Sequence, residues 1–504
     1  MLAAVSSATL VGVDGRPVRV EVHVSTGLPG FTVVGLPDTT CREARDRVRA
    51  ALLSSDLRWP TRKITINLAP SGVRKMGAGL DLAMAMGLLV ADEQLPEACL
   101  ADRAFLGELG LDGSLRSVPG ALSLIDALSA PEIVIAMGAV VEARLIGRHH
   151  IRVASNLVGL VEALRGEVEW PDLPPPTPPT VEPRGPDLTD VRGQPAARYA
   201  LELAAAGGHH LLMVGPPGAG KSMLARRLPG LLPDLPRDEA LEATRIHSVA
   251  GLPLPPGGLI RRPPFRSPHH GASAVSLVGG GSPSLQPGEI SLAHRGVLFL
   301  DELGEFSTVV LDNLRQPLEE GVIRVSRAAS KAIFPARVLL VAAMNPCPCA
   351  VGGPRGACRC SPAARDRYAR RLSGPLLDRF DLRIELGRPA VGELLSPTGA
   401  EPTAAVAERV HLARSRAQAR GAPANAELRS WQLESCAPLD DAARRVLEDA
   451  LRAGRLTGRG VGGARRVALT IADLAADDPP LGPEHVGTAL ALRADPSFLT
   501  GRVA

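Results

Sequence analysis

Eight residues, GPPGAGKS at 215–222, carry the strongest chemical signal in this chain. The spacing G-x-x-x-x-G-K-S is typical of a loop whose backbone N–H groups bind phosphate oxygens, with the dipole of the following helix adding to the attraction. Lys221 is predicted to reach the β- and γ-phosphates of ATP, and Ser222 to ligate Mg²⁺. The remaining loop positions are predicted to surround the phosphates: Gly215, Pro216, Pro217, Gly218, Ala219 and Gly220.

A second motif, VLFLDE at 297–302, places two acids at the end of an apolar run. Asp301 is expected to hold Mg²⁺ through water and Glu302 to polarise the attacking water, because phosphoryl transfer depends mainly on positioning and charge stabilisation. Taken alone, this pair also suits the surface end of a strand. Asn345 ends another apolar run and is predicted to orient the water near the γ-phosphate. The alternative is a turn-forming asparagine before proline.

Four of the seven cysteines lie within MNPCPCAVGGPRGACRC at 344–360. Cys347, Cys349, Cys358 and Cys360 form two C-x-C pairs on a Gly/Pro-rich loop, which suits tetrahedral zinc in a closed structural site. A disulfide pair is the alternative, and it is disfavoured if the protein lies in the reducing cytoplasm. Four protein ligands leave no open position for catalysis by the metal.

The same loop continues into a strongly basic run, Arg355 to Arg371, with six arginines, one aspartate and Tyr368. Cations with an occasional aromatic suit contact with a phosphate backbone and stacking on bases, so Arg355 and Arg359 are predicted DNA contacts. A bound metal is expected to orient this surface, so that its loss weakens DNA binding more than ATP hydrolysis. The alternative is a solvated arginine face.

The sequence pattern also predicts the strands, helices and linker that position these residues. RPVRVEVHVS (16–25) and RKITINLAP (62–70) alternate like half-buried strands, and PEIVIAM (131–137) is another. EARDRVRAALLSS (43–55) and GLDLAMAMGLLVA (79–91) are predicted helices. Apolar strands at 209–214, 295–303 and 336–345, separated by helices, predict a parallel sheet covered on both faces. A proline-rich run at 170–186 predicts a linker, and the signal from about 400 onward is helical.

The amino-acid composition limits the classes of protein to which this chain can belong. With 57 basic and 53 acidic residues the net charge is +4, so any basic patch must be local. No apolar stretch reaches the ~20 residues that a membrane span needs, and the first fifteen residues lack the basic start of a signal peptide. A soluble, cytoplasmic protein with no membrane partner is therefore expected.

Several longer stretches resemble the magnesium-chelatase-like family of AAA+ ATPases: GPPGAGKS, FRSPHHGAS, PGEISLAHRGVLFLDEL, FPARVLLVAAMNPCPC, SGPLLDRFDL and RVALTIADL. ITINLAP, GLDLAMAMGLL and GELGLDGSLRSVPGAL extend the resemblance to the first segment. It implies an N-terminal ribosomal-S5-domain-2-like (Lon-protease-like) α+β domain (1–170), a linker (171–187), an AAA+ P-loop α/β domain with a parallel sheet (188–390), and a C-terminal helical lid (391–504).

The resemblance also assigns further roles. Arg379 in SGPLLDRFDL matches an arginine finger that reaches a neighbouring subunit's γ-phosphate. Arg459 matches the sensor-2 arginine, although this chain has T-G-R where the family usually has S-A-R. The stretches 278–292 and 321–334 correspond to an insert and a hairpin that line a central pore in related motors. At the hairpin, Arg324, Arg327 and Lys331 are predicted DNA contacts, with a solvated charged hairpin as the alternative.

Three functions are compatible with these features. The first is a hexameric ring motor that acts on single-stranded or branched DNA, with branch migration during integration of incoming DNA as the implied task. The second is the ATPase motor subunit of a metal chelatase, which needs neither a Lon-like domain nor a cysteine cluster. The third is an ATP-dependent protease, disfavoured because GVRKMGAGLDLAM lacks the serine of a Lon-type dyad and VPGALSLIDAL lacks its lysine.

Overall fold

The structure is a computed structural model that describes residues 1–176, 178, 185–281, 285–327, 330–350, 358–394 and 400–494. Its first segment contains a mixed seven-stranded sheet of order β3-β4-β2-β1-β5-β8-β9. The elements are β1 Leu2–Val11, β2 Asp14–Ser25, β3 Gly30–Val34, α1 Thr39–Ser54, β4 Lys63–Ala69, α2 Asp81–Ala91, β5 Arg103–Leu106, β6 Glu108–Leu109, β7 Leu115–Arg116, α3 Ala121–Asp126, β8 Glu132–Ala136, α4 Val140–Ile146, β9 His150–Ala154 and α5 Leu157–Arg165.

The three strands and two helices predicted in this segment are confirmed as β2, β4, β8, α1 and α2. All residues of α2 are buried, as its unbroken apolar run indicates. The sequence did not predict β1, whose serines and alanines give only a weak apolar pattern. This strand pairs antiparallel with β2 along its whole length, and their first and last partners are Leu2 with His23 and Val11 with Asp14.

The central segment is built on a parallel five-stranded sheet of order β11-β14-β17-β10-β18, as predicted for an α/β ATPase. Every residue of β10, β14 and β17 is buried, because helices cover both faces of the sheet. The elements are α6 Pro195–Gly207, β10 Leu211–Val214, α7 Lys221–Ala225, α8 Leu228–Leu231, α9 Arg237–Val249, β11 Phe265–Arg266, α10 Ala274–Val278, β12 Gly279–Gly280, β13 Gln286–Pro287, α11 Glu289–Leu292, β14 Val297–Leu300, α12 Thr308–Asn313, α13 Arg315–Glu320, β15 Val322–Arg327, β16 Ser330–Pro335, β17 Leu339–Met344, α14 Pro362–Ala369, α15 Gly374–Leu377, β18 Leu382–Glu385 and α16 Val391–Leu394.

The last segment is helical, with α17 Thr403–Ala419, α18 Leu433–Cys436, α19 Asp441–Arg452, α20 Gly458–Ala475 and α21 Pro483–Ala491. Its apolar faces complete the core beneath α6 and one face of the sheet. A buried histidine anchors it there. His209 lies 2.8 Å from the Thr470 hydroxyl through Nε2 and 3.1 Å from Asp381 through Nδ1, so it ties α20 to the beginnings of β10 and β18.

The first and central segments pack directly against each other. Arg245 of α9 donates to Asp126 at 2.5 Å, and the Gly120 amide donates to the Ser248 carbonyl at 2.8 Å. At a second contact, the β1–β2 turn lies against the β15–β16 hairpin. Gly12 has φ +66°, and a Cβ there would lie 3.0 Å from the Cβ of Ala332, so both the turn and the close approach favour glycine. Val13 joins the apolar cluster of the central segment.

Within the described residues, none of the helices combines the length and apolar composition that crossing a bilayer requires.

Candidate ATPase site and thiolate cluster

The phosphate-binding loop connects β10 to α7, as the motif predicted. Gly218 and Gly220 have φ of +80° and +89°, a backbone conformation that residues other than glycine rarely adopt. At Gly215 a Cβ would lie 2.4 Å from the Leu386 carbonyl oxygen, so the loop is packed against the end of β18. Pro216, Pro217 and Ala219 complete the loop, with Ala219 buried. The backbone is therefore already shaped as a phosphate cradle.

Lys221 lies inside this loop, with its side chain folded back onto it. Its Nζ donates to the carbonyl oxygens of Gly215 at 2.5 Å and Pro216 at 3.1 Å, and to Oδ1 of Asn345 at 3.2 Å. Burial lowers the pKa of the Lys221 amine, while the charges of Asp301 and Glu302 oppose the shift. Asn345 directly follows β17, the strand beside β10. The predicted phosphate ligand and the predicted water-orienting amide therefore meet at adjacent strand ends.

Ser222 and Asp301, the two residues assigned to Mg²⁺, are in direct contact. The Ser222 hydroxyl donates to Oδ2 of Asp301 at 2.6 Å. Asp301 follows β14, which pairs in parallel with β17 and is separated from β10 by that strand, so its carboxylate reaches the loop across the end of β17. A hydroxyl and a carboxylate oxygen are suitable ligands for a hydrated Mg²⁺. The donor set thus fits the ion that ATP brings with it.

Glu302 has a left-handed backbone, with φ +52° and ψ +46°, which is uncommon for a residue other than glycine. Its amide donates to Oδ1 of Asp301 at 2.9 Å, which stabilises this turn. The Glu302 carboxylate lies 2.9 Å from Nδ1 of His270 and is about half exposed.

His270 was not predicted as a functional residue. It stands in the quoted stretch FRSPHHGAS, four residues after the end of β11, which lies beside β14, so the available signal was its position near a neighbouring strand end. Its ring lies 4.1 Å from that of His269, measured between centroids. The chain then continues into α10 and the β12–β13 hairpin, so His270 connects that insert with Glu302.

Arg379 and Arg459 lie together at Glu319, the penultimate residue of α13. Arg379 Nη2 is 2.5 Å from one carboxylate oxygen and Arg459 Nη2 is 3.0 Å from the other. Burial lowers the pKa of Arg379, and the positive charge of Arg459 adds to the effect. Glu319 was not predicted, and no sequence motif marks it. It compensates two cations that otherwise repel each other.

The sequence T-G-R, which departs from the family pattern, still supplies a cap for the helix that carries Arg459. Thr457 caps α20, and its hydroxyl accepts from the Gly460 amide at 3.1 Å, as a serine does. Among the described residues, leaving aside the adjoining backbone, no atom lies within 4 Å of a Cβ placed on Gly458, so an alanine fits there as well.

The four clustered cysteines converge. Their ligand atoms all lie within 4.8 Å of one another, and Cys347 and Cys349 have an Sγ–Sγ distance of 3.2 Å. Cys358 lies 3.4 Å from both. A disulfide requires about 2.05 Å, whereas four sulfurs at ~2.3 Å from one zinc ion lie about 3.8 Å apart. The arrangement therefore fits tetrahedral coordination by four thiolates.

The predicted DNA contacts differ in their exposure, and their role stays a prediction. Arg359 and Lys331 are exposed, and Arg324 is half exposed and donates to Glu320 at 2.6 Å. Arg327 ends β15, and its side chain and the whole of Arg355 lie outside the described residues.

Tyr368 was expected on a solvent-facing, base-stacking surface, and that expectation is wrong. Its side chain is 4% exposed and belongs to the apolar core of the central segment. The charge pattern of the arginine run concealed this, because α14 turns Tyr368 inward while Arg367 and Arg370 face solvent.

Comparison with known proteins extends over nearly the whole chain. Three family models match: "Magnesium chelatase, subunit ChlI" at residues 187–394, "Subunit ChlI of Mg-chelatase" at 20–137, and "Magnesium chelatase, subunit ChlI C-terminal" at 400–493. An uncharacterized protein of Mycobacterium tuberculosis is 44% identical over 494 residues, covering 97% of both chains. The uncharacterized protein YifB of Escherichia coli is 45% identical over 499 residues, covering 98% of this chain and 97% of that protein. The competence protein ComM of Haemophilus influenzae is 44% identical over 502 residues, with the same two coverages.

Proposed function

The chain belongs to the magnesium-chelatase-like family of AAA+ ATPases, close to ComM and YifB, and we propose that it is a ring-shaped ATPase motor that remodels DNA. Its task in this proposal is branch migration during integration of incoming DNA or recombination in the cytoplasm. The proposed ATPase activity is supported by two direct contacts, one between Lys221 and Asn345 and one between Ser222 and Asp301. The DNA substrate rests on near-full-length similarity to a competence protein.

The residues around the loop have distinct tasks in hydrolysis. Lys221 exchanges its bonds to the loop carbonyls for phosphate oxygens, and Ser222 with Asp301 holds the Mg²⁺ that neutralises developing charge. Glu302 orients the attacking water once its carboxylate is directed away from His270. Asn345, already beside Lys221, orients the same water from the other side.

We assign Arg379 and Arg459 to the active site of a neighbouring subunit. Both are bound to Glu319 rather than to any residue of their own phosphate-binding loop that the structure describes. A subunit whose two arginines act on the phosphate-binding loop of its neighbour is suited to a closed ring, because each interface then completes one site. A hexamer is the expected ring, and α17–α21 serve as its helical lid.

We assign one structural zinc ion to the cluster of four cysteines, Cys347, Cys349, Cys358 and Cys360.

We assign a Lon-like fold without protease activity to residues 1–170. Two features support the absence of protease activity. Lys75, the lysine of the stretch GVRKMGAGLDLAM, is completely buried and donates to the Pro70 carbonyl. Cys41, the buried thiol near it, has a pKa raised by burial, which disfavours the nucleophilic thiolate.

ATP hydrolysis with no DNA, with single-stranded DNA and with a branched junction tests the proposal. Stimulation by DNA, greatest with the branched form, supports a DNA motor, and Glu302→Gln serves as the inactive control. If no DNA changes the rate of ATP hydrolysis, but a partner protein that inserts metal into a porphyrin raises it, the chain is a chelatase motor instead. A wild-type rate equal to that of Glu302→Gln refutes the catalytic assignment itself.

A further inference from the structure

The thiolate cluster lies between two elements of the proposed ATPase site. Cys347 comes two residues after Asn345 and is 2% exposed, so one end of the cluster is fixed to the end of β17. At the other end, Cys360 is followed at once by Ser361, which caps α14 through its hydroxyl at 3.2 Å from the Ala364 amide. Whatever holds the four sulfurs together therefore also fixes where α14 begins.

Helix α14 directs Tyr368 onto the turn that follows Glu302. A Cβ placed on Gly304 would lie 2.5 Å from both Cζ and the hydroxyl oxygen of Tyr368, so the phenol ring occupies the space that any side chain at Gly304 requires. Just beyond the helix, Arg371 donates to the Gly304 carbonyl and lies 3.4 Å from Glu305. The turn is thus held from one side by a ring and a guanidinium.

Backbone hydrogen bonds join this turn directly to Glu302. The Glu305 amide donates to the Glu302 carbonyl at 2.7 Å, and the Glu302 amide donates to Asp301 at 2.9 Å. With φ +52°, Glu302 is in a conformation that its surroundings must maintain. A displacement of Gly304 therefore moves the backbone that carries the Glu302 carboxylate.

We propose that Tyr368 is a positioning residue through which the four-thiolate site sets the orientation of Glu302, so that metal occupancy controls the rate of hydrolysis and not the binding of nucleotide. The proposal rests on the proposed ATPase and on the zinc assignment. It replaces the expectation from sequence that metal loss acts mainly on DNA contact, because Tyr368 faces the catalytic turn and not solvent. Nucleotide affinity is spared because Lys221 and Ser222 lie on another loop.

Three measurements on wild type, Tyr368→Phe and Tyr368→Leu test this: zinc content, the Kd of a non-hydrolysable ATP analogue, and kcat without DNA, each before and after chelation. A catalytic group misplaced by ~1 Å costs up to about 100-fold in rate. Chelation of wild type is therefore expected to lower kcat by about 10- to 100-fold while Kd changes by less than about twofold. Tyr368→Phe keeps the ring and behaves as wild type.

Tyr368→Leu carries the decisive comparison. It is expected to retain zinc and nucleotide affinity, to have the low kcat of chelated wild type, and to lose nothing further on chelation, because the connection is already broken. Tyr199→Leu, the same change at the other tyrosine of the chain, is expected to keep the metal response. If Tyr368→Leu does not fold, Gly304→Ala breaks the same contact from the opposite side.

Each remaining outcome overturns the proposal in a recognisable way. If wild-type protein contains zinc but its kcat does not change on chelation, only this coupling is overturned. The same holds if the kcat of Tyr368→Leu still falls on chelation. Wild type that contains no zinc overturns the coupling together with the zinc assignment. A Glu302→Gln variant that hydrolyses ATP at the wild-type rate overturns the catalytic role of Glu302, on which the coupling depends, and leaves the zinc assignment untouched.

Discussion

Mixing two inactive variants tests whether Arg379 acts across a subunit boundary. Arg379→Ala keeps an intact phosphate-binding loop and lacks the arginine, whereas Lys221→Ala has the opposite defect. If the arginine acts on the neighbour's nucleotide, a mixed ring contains interfaces at which an intact loop meets an intact arginine. If it acts within its own subunit, no interface in the mixture is complete.

The expected size of the effect follows from the contacts of Arg379. An arginine supplied in trans contributes roughly 10³–10⁵ in rate. Arg379 must first leave Glu319, and a pair in which Glu319 is 55% exposed contributes at most about 1 kcal/mol, a factor of roughly five. Arg379→Ala is therefore expected to lose at least about 10²-fold in kcat. Random 1:1 mixing completes about a quarter of the interfaces, so about a quarter of the wild-type rate returns.

The assay is steady-state ATP hydrolysis of the two variants alone and mixed under conditions that allow subunit exchange, with differently tagged chains co-purified to demonstrate mixed rings. The double variant, mixed with wild type, controls for dilution. Because Arg459 shares Glu319 with Arg379, Arg459→Ala is expected to complement Lys221→Ala in the same way. Mixed rings that are as inactive as each variant alone refute action in trans.

Three further predictions use other contacts of the site. His270→Ala releases the Glu302 carboxylate from a hydrogen bond of about 1 kcal/mol and is expected to raise DNA-free ATP hydrolysis by roughly fivefold, with His269→Ala as control; a lower rate contradicts this view of the contact. Gly458→Ala, for which space exists at the beginning of α20, is expected to raise the free energy of unfolding by about 0.5–1 kcal/mol in thermal or urea denaturation without changing kcat; destabilisation is the contrary result. A Cys358→Ser/Cys360→Ser variant is expected to lose the single zinc ion per chain, by metal analysis of the purified protein; equal metal in variant and wild type excludes the four-thiolate site.

The ATP-binding part of the site could be predicted from sequence because its determinants are local. A glycine-rich loop of fixed spacing, an acid pair and an asparagine each follow an apolar strand, and parallel strands bring their carboxyl ends to one edge. Lys221, Ser222, Asp301 and Asn345 are therefore found together as expected. The convergence of the cysteines was also predictable, since a short Gly/Pro loop can close on itself without help from the rest of the fold.

Contacts between distant elements were missed for a physical reason. Glu319 compensates two arginines that lie 60 and 140 residues away, and nothing in its own neighbourhood distinguishes it from other exposed glutamates. Tyr368 was misplaced because the charges around it indicate solvent, whereas it and Leu372, just beyond the helix, are both buried in the core of the central segment. Strand β1 was missed because pairing along its length, rather than apolar content, holds it in the sheet.

The contact between the β1–β2 turn and the β15–β16 hairpin bears on how the chain responds to cutting. Val13 is buried among side chains of the ATPase core, and Arg245 and Ser248 bind the first segment from a second direction. A protease that severs the proline-rich linker is therefore expected to leave two fragments that still migrate together on a sizing column. Residues 1–170 therefore pack against the central segment as part of its core, and removing them is expected to expose an apolar surface beside the hairpin that favours self-association.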